Sequence, residues 1–177
     1  GERMALTGTL RTFGLRDIKL TPLPTGTQID LPAAMTLSFK ERLTSGEMRG
    51  DDSTVAIVAI TDAVEWELES GGISLEAIKV MTGRTITLTG TTPSQVNTVL
   101  ARAGDTYPYF KIYGKSVGDT AGDIHVLIYQ AKLTGALEGE FKDGEFFVTK
   151  CSGVAVDNGT KLYEIVQNET ATTVPAT

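Results

Sequence analysis

The sequence predicts a mainly β protein: a β-sandwich or barrel with one short flanking α-helix and a long β-hairpin. Runs that alternate apolar and polar residues, rich in threonine, valine and isoleucine, recur along most of the chain. Such runs favour strands with one buried face. Turn signals return every ~8 to 12 residues, a spacing typical of sandwiches and barrels, so we expect about nine or ten strands.

The N-terminal part of the chain predicts three long strands. Residues 6–23 form a threonine-rich run that ends at Pro22 and Pro24, because proline cannot continue a strand ladder. In the run 35–44, Met35, Leu37 and Phe39 alternate with polar residues, and the run exceeds the ~5–6 residues of an average strand. Residues 54–60 and 64–70 continue the extended pattern, with Asp62 between them.

A polar loop is predicted between the second and third strands. It consists of Ser45, Gly46, Glu47, Met48, Arg49, Gly50, Asp51, Asp52 and Ser53. Glycines and charged residues dominate it, which indicates a turn or loop. Its carboxylates could bind a hard cation, but their spacing fits no calcium loop, so a solvated loop is favoured and no metal site is expected.

One helix is predicted, from Ser74 to Thr82. Ser74 can act as its N-cap, Glu76 suits the positive end, and Gly83 suits the exit. Leu75, Ile78 and Met81 are spaced three apart and would share its apolar face.

The C-terminal half predicts further strands. Residues 94–104 fit either a strand or a helix, whereas the run 123–135 is apolar on both faces at its start and should be central. Asp143-Gly144 is a hairpin signal. The remaining predicted strands are residues 85–90, 107–115 and 161–167.

These elements predict a single domain over residues 4–167. Residues 1–3 precede Met4 and are interpreted as a cloning remnant. The segment 168–177 lacks core residues, so we expect a C-terminal tail that is flexible or docks on a partner.

Composition excludes several classes of function. The formal net charge of −6 argues against a duplex DNA binder, which needs a basic patch. One cysteine, Cys151, and one histidine, His125, are too few for a disulfide framework, a zinc cluster or a catalytic triad. No nucleophile elbow or phosphate loop is present, and no apolar run approaches the ~20 residues of a membrane span. We expect no enzyme activity, no catalytic residue, no cofactor and no membrane anchor.

The run VEWELES places Glu65, Glu67 and Glu69 on one face of a strand and Val64, Trp66 and Leu68 on the other. A glycosidase pair is disfavoured, because sugar sites also need aromatic platforms and Trp66 points away. If Thr44 pairs with Thr54, then Lys40 and Arg42 lie opposite Val58 and Ala56, and the glutamates are left unopposed. The row then faces either open water or a neighbouring chain, where Lys40 or Arg42 of that neighbour would be the charge partners.

Several segments together resemble the major tail tube proteins of long-tailed bacteriophages. They are EMRGDDS, VAIVAI, VEWELESGGISLEAIKVMTG, RAGDTYPYFKIYGKSVGD, DIHVLIYQAKLTG and EFKDGEFFVTKCSGVAV. The similarity covers about residues 4–156 and does not include residues 157–177.

The resemblance implies a structural virion protein that forms stacked hexameric rings. In that family, strands of each subunit join an inner β-barrel through which the genome is ejected. Residues 35–44 and 54–70 would belong to this barrel, 45–53 would be the ring-stacking loop, and Glu65, Glu67 and Glu69 would face the lumen. Implied partners are further copies and the tape-measure, tail-tip and tail-terminator proteins. DNA would pass without specific binding, and assembly would take place in the host bacterial cytoplasm.

Two alternatives remain open. One is the tube protein of a type VI-like or contractile injection system, and the other is a carbohydrate-binding β-sandwich.

Overall fold

A computed structural model describes residues 8–176, so the predicted cloning remnant, residues 1–3, lies outside the described residues. The fold is mainly β, as predicted, with one short helix and a long hairpin. Its elements are β1 (Thr12–Pro22), β2 (Ile29–Asp30), β3 (Ala34–Gly50), β4 (Ser53–Gly71), α1 (Leu75–Thr82), β5 (Ile86–Thr89), β6 (Val96–Val99), β7 (Phe110–Gly118), β8 (Asp123–Leu133), β9 (Glu138–Gly139), β10 (Val148–Ala155) and β11 (Tyr163–Asn168).

One large antiparallel sheet has the strand order β2-β1-β7-β8-β10-β4-β3, and β5 and β6 form a separate pair. β8 is central, as predicted. One of its edges pairs with β7. Its other edge pairs with β11 along residues 123–128 and with β10 along residues 131–133.

The sheet folds over on itself, so that β4 packs across β7 and β8. Val64, Trp66 and Leu68 are all buried in the same core cluster as Phe110 and Ile128. The Trp66 and Phe110 rings meet edge to face, with centroids 5.6 Å apart. The predicted apolar face of VEWELES therefore points into the subunit and joins the two layers of the sheet.

Helix α1 begins and ends where predicted, but a different face is buried. The Ser74 hydroxyl accepts a hydrogen bond from the Ala77 N–H. Gly83 closes the helix in the left-handed conformation, with φ 71°, which glycine adopts without strain. The predicted face of Leu75, Ile78 and Met81 is wrong for its first two members, which are only partly buried. Ala77 and Val80 are buried beside Met81 instead.

Other predicted elements are refined by the structure. The ambiguous segment 94–104 contains a strand, β6, which pairs with β5. Asp143-Gly144 does lie in a hairpin, but the loop is wide, because the ladder between β9 and β10 closes at Thr149 and Gly139. Cys151 is buried, and burial raises the pKa of its thiol to about 12.

The C-terminal tail packs against its own domain. Residues 169–176 follow β11 and lie against the sheet, with Val174 buried beside Tyr113 and Leu127. The Thr172 N–H and the Asn168 amide donate to the buried Asp123 carboxylate at 2.9 and 2.8 Å. The Asp123 carboxylate of β8 and the Lys115 ammonium of β7 therefore satisfy backbone groups of Thr172 in this segment.

Candidate self-assembly surface

The β3–β4 hairpin extends well beyond the domain. β10 pairs with β4 only along residues 64–71, whereas β3 continues beside β4 as far as Gly50 and Ser53. Every residue from 42 to 62 is exposed. At about 3.3 Å per residue, residues 43–50 and 53–60 form a ribbon of roughly 25–30 Å outside the core.

The predicted loop at 45–53 is wrong in conformation. Residues 45–50 lie in β3, Ser53 begins β4, and only Asp51 and Asp52 form the turn. Their φ angles are 43° and 63°, the left-handed pair that a two-residue hairpin turn requires. Aspartate tolerates this conformation because its side chain can bond locally, so the polar run closes a hairpin instead of opening a loop.

The strand register also differs from the predicted one. Thr44 pairs with Ile60, not Thr54, and Lys40 and Arg42 pair with Glu65 and Ala63. The short turn accounts for most of the shift. Two irregularities, between Arg42 and Leu43 and between Met48 and Arg49, account for the rest. They leave Asp62 and Val55 of β4 without a paired residue.

One face of the protruding ribbon is almost wholly apolar. Cross-strand partners share a face, so Met48, Ala56, Val58 and Ile60 lie together with Gly46 and Thr44. The opposite face is mixed, because Leu43, Ile57 and Ala59 alternate with Ser45, Glu47 and Thr61. Monomeric proteins rarely leave so large a contiguous apolar surface open to water.

Both edges of the ribbon are also unpaired within residues 8–176. β3 ends the large sheet and has β4 as its ladder partner, and in the same part of the chain β4 has no second partner before Val64. Unpaired backbone N–H and C=O groups form a template for adding another strand. The ribbon therefore offers both apolar area and a hydrogen-bonding edge to a further chain.

An ion pair marks the base of the ribbon. Arg42 contacts Asp62 of the same chain with an Nη2–Oδ2 distance of 3.1 Å. Asp62 occupies the irregular position of β4. Arg42, which the sequence suggested as an inter-subunit charge partner, therefore forms an ion pair within its own subunit.

The three glutamates lie on the outer face of the sheet, and two of them have a lysine as a cross-strand neighbour. Glu65 lies across from Lys40 on β3, and Glu69 lies across from Lys150 on β10, with an Nζ–Oε1 distance of 3.1 Å. The hydrogen bond to Glu69, with its negative charge, raises the pKa of Lys150. Ser38 and Ser152 flank Glu67. The glutamates therefore form a central acidic row with lysines on both sides.

The sequence contained only weak signals for the lysine partners of the glutamates and for the register of the hairpin. Lys150 becomes a partner of Glu69 only through the β4–β10 ladder, which joins residues about eighty apart. Residues 43–48 do not alternate apolar and polar side chains, so no periodic signal marks the strand that runs through the predicted loop.

Residues 8–176 contain no cluster of three or more histidine, cysteine, aspartate or glutamate side chains that could hold a metal ion. The helix in the same residues is too short to cross a bilayer.

Comparison with known proteins gives little further information. The chain matches no protein-family model and no curated protein. Among solved structures it is similar to a chain of the anti-feeding prophage (AFP) baseplate, determined by cryo-EM with sixfold symmetry applied. The identity is 8%, the match covers 93% of this chain and 97% of that chain, and the TM-score is 0.39.

Proposed function

We propose that this chain is a structural subunit that polymerises with copies of itself through the β3–β4 hairpin. The observation that carries the proposal is the ribbon beyond the domain, with unpaired edges and exposed large apolar residues, among them Met48, Val55, Ile57, Val58 and Ile60. Burying one such side chain gains about 1.5–3 kcal/mol. Several together can drive an obligate assembly, whose contacts resemble a protein core.

The specific assembly we propose is the tail tube of a long-tailed bacteriophage. Ribbons from neighbouring subunits would pair edge to edge into a closed barrel, which removes every unpaired edge. Six subunits would form a ring and rings would stack, with tape-measure, tail-tip and tail-terminator proteins completing the tail. Asp51 and Asp52 at the ribbon tip would contact the next ring, and the row of Glu65, Glu67 and Glu69 would face the lumen.

A tube of a contractile injection system is the second candidate, and one observation favours it. Lys40 and Lys150 lie beside the glutamate row, so the wall would carry mixed charge instead of a uniform negative field. A strongly acidic wall is the arrangement that keeps DNA phosphates from binding. A wall of mixed charge lacks that uniform field and suits a protein cargo better than DNA.

Electron microscopy of concentrated protein tests assembly. We expect rings or tubes of sixfold symmetry from the natural chain. Val58→Lys should abolish them, because the lysine would place a charge on the apolar face of the ribbon. The domain itself should keep its thermal stability, since Val58 lies outside the core.

Leu88→Lys is the matched control. Leu88 is 57% exposed and Val58 is 58% exposed, but Leu88 lies on β5. The control should assemble normally. Tubes from Val58→Lys, or loss of tubes from Leu88→Lys alone, would contradict assembly through the ribbon. A glycan-binding domain would instead remain monomeric at every concentration and bind an oligosaccharide array.

A further inference from the structure

The two edges of the ribbon differ in the length that a further strand could pair with. β3 has 17 residues and, within residues 8–176, no ladder partner on its outer side. β4 is open only from Ser53 to Ala63, because β10 pairs with it from Val64 onward. The edge of β3 is therefore long and open, whereas the edge of β4 ends where the domain begins.

Two irregularities divide the open edge of β4. Val55 and Asp62 have no paired residue on β3, so each is an extra residue of the kind that forms a β-bulge. A bulge disrupts the ladder locally and often terminates pairing. Between these two positions, the segment Ala56 to Thr61 pairs one to one with Leu43 to Met48 of β3. This segment, 56–61, is the part of the open β4 edge that keeps a regular strand.

The β3 half of the ribbon contains no such interruption. Both extra residues lie on β4, and every residue of β3 from Leu43 to Gly50 has a partner. The outer edge of β3 can therefore accept a strand anywhere along the ribbon. The shorter segment 56–61 of β4 is what limits the pairing between two copies.

The side chains favour one class of register. The apolar face of the ribbon contains no charged residue and consists of even-numbered residues of the paired segments: Thr44, Gly46, Met48, Ala56, Val58 and Ile60. The opposite face contains Glu47. When even-numbered residues of two copies meet, uncharged side chains adjoin across the new ladder. A slip of one residue would turn Glu47 to the side of Val58 and desolvate its charge.

Symmetry decides which edges of identical copies meet. Pairing β3 with β3, or β4 with β4, is a two-fold contact that leaves the other edge of each copy open. Pairing β3 of one copy with β4 of the next uses each edge once and repeats around a ring, so that no edge remains. β3 and β4 are antiparallel within the ribbon. The new ladder is therefore also antiparallel when all ribbons of a ring point the same way.

We propose that segment 56–61 of β4 in one copy pairs with β3 of the next copy, antiparallel and with apolar face beside apolar face. The irregularities at Val55 and Asp62 end the regular pairing on either side. The inference rests on the proposed function, because it assigns the two edges that meet between subunits. The same contact would build an open filament if the rotation between copies did not close.

Mixtures of single-cysteine chains test which edges meet. One chain carries Val58→Cys on β4, and the other carries Thr44→Cys, Gly46→Cys or Met48→Cys on β3. Oxidation of the assembled mixture should give a disulfide-linked heterodimer from at least one of these combinations, and no chain should form dimers by itself. Cys151 is buried and does not contribute. The matched controls place the β3 cysteine on the opposite face, as Leu43→Cys, Ser45→Cys or Glu47→Cys, and should give no dimer.

The outcomes distinguish this contact from the proposed tube. Dimers from Val58→Cys alone, or from a β3 variant alone, would show that like edges meet and would overturn the contact without affecting ring assembly. Equal yields from the opposite-face controls would overturn the register. Rings without any heterodimer would also overturn the contact, whereas heterodimers without rings would support it and contradict the tube. A mixture that forms neither assemblies nor dimers would overturn both.

Hydrogen exchange of the natural chain gives a second readout. On an antiparallel edge, every second N–H points away from the existing partner. About half of the amides in segment 56–61 should therefore exchange fast in the single subunit and become protected in the assembly. Residues 64–70 of β4 already pair with both β3 and β10, so their exchange should not change. Unchanged exchange of segment 56–61 on assembly would overturn the proposal.

Discussion

At the scale of single residues, Asp123 holds the C-terminal segment, residues 169–176, against the sheet. Its carboxylate is fully buried, and burial by itself would raise its pKa. Hydrogen bonds from Asn168, the Thr172 N–H, His125 and Lys115 outweigh this and lower the pKa to about 2. Donors that favour the ionised form therefore hold a buried negative charge between the sheet and the tail.

Replacing Asp123 should release the tail. Asp123→Asn leaves Lys115 without its buried carboxylate, which lies 3.3 Å away, so we expect a loss of about 3 kcal/mol in the free energy of unfolding. Because the pKa of Asp123 is lowered on folding, its contribution is present above about pH 4 and is lost as the pH falls toward about 2.

Urea unfolding between pH 2 and 7 measures both effects. The stability difference between the natural chain and Asp123→Asn should shrink below about pH 4. Asp30→Asn is the control, because Asp30 is an exposed ion-pair partner of Lys19 and should cost under ~1 kcal/mol. A difference that does not change with pH would contradict the ionised state of Asp123.

Gly153 is required where β10 passes Trp66. A Cβ at this position would collide with the Lys132 carbonyl and lie 2.7 Å from the indole. Gly153→Ala should therefore lower the free energy of unfolding by about 1–3 kcal/mol. Gly46→Ala is a matched strand control, since a Cβ at Gly46 meets nothing within 4 Å. Equal chemical-denaturation midpoints for the two variants would refute the packing argument.

At the scale of elements, the two-residue turn sets the register of the whole ribbon. A proline at position 51 is incompatible with the observed φ of 43°, because its ring holds φ near −65°. Asp51→Pro should unpair the ribbon tip without unfolding the domain, whereas Asp51→Gly should keep it. Hydrogen exchange of amides 45–58 reports this pairing, and protection that survives in Asp51→Pro would contradict the turn assignment.

At the scale of the whole molecule, the proposed tail tube makes a prediction about the glutamate row, which would face its lumen. Converting Glu65, Glu67 and Glu69 to lysine should leave tube assembly intact, because these side chains lie outside the core and away from the protruding ribbon. Genome delivery by particles that carry the variant should fall, since a basic wall would retain phosphates. If the tubes themselves fail to form, the row belongs to a subunit interface.

The amino-acid sequence alone determined the fold class, the helix with its Ser74 cap and Gly83 exit, and the inward face of Val64, Trp66 and Leu68. These features depend on local periodicity and capping, which neighbouring residues decide. Its resemblance to tail tube proteins also suggested self-assembly.

Only the tertiary structure decided the register of the ribbon, the lysines beside the glutamates, and the docking of the C-terminal segment on Asp123. Each depends on strand pairs or contacts between residues far apart in the chain, and the irregularity at Asp62 shifts every later partner. The order of the strands in the sheet was likewise hidden, because it is set by packing of the whole molecule and not by local pattern.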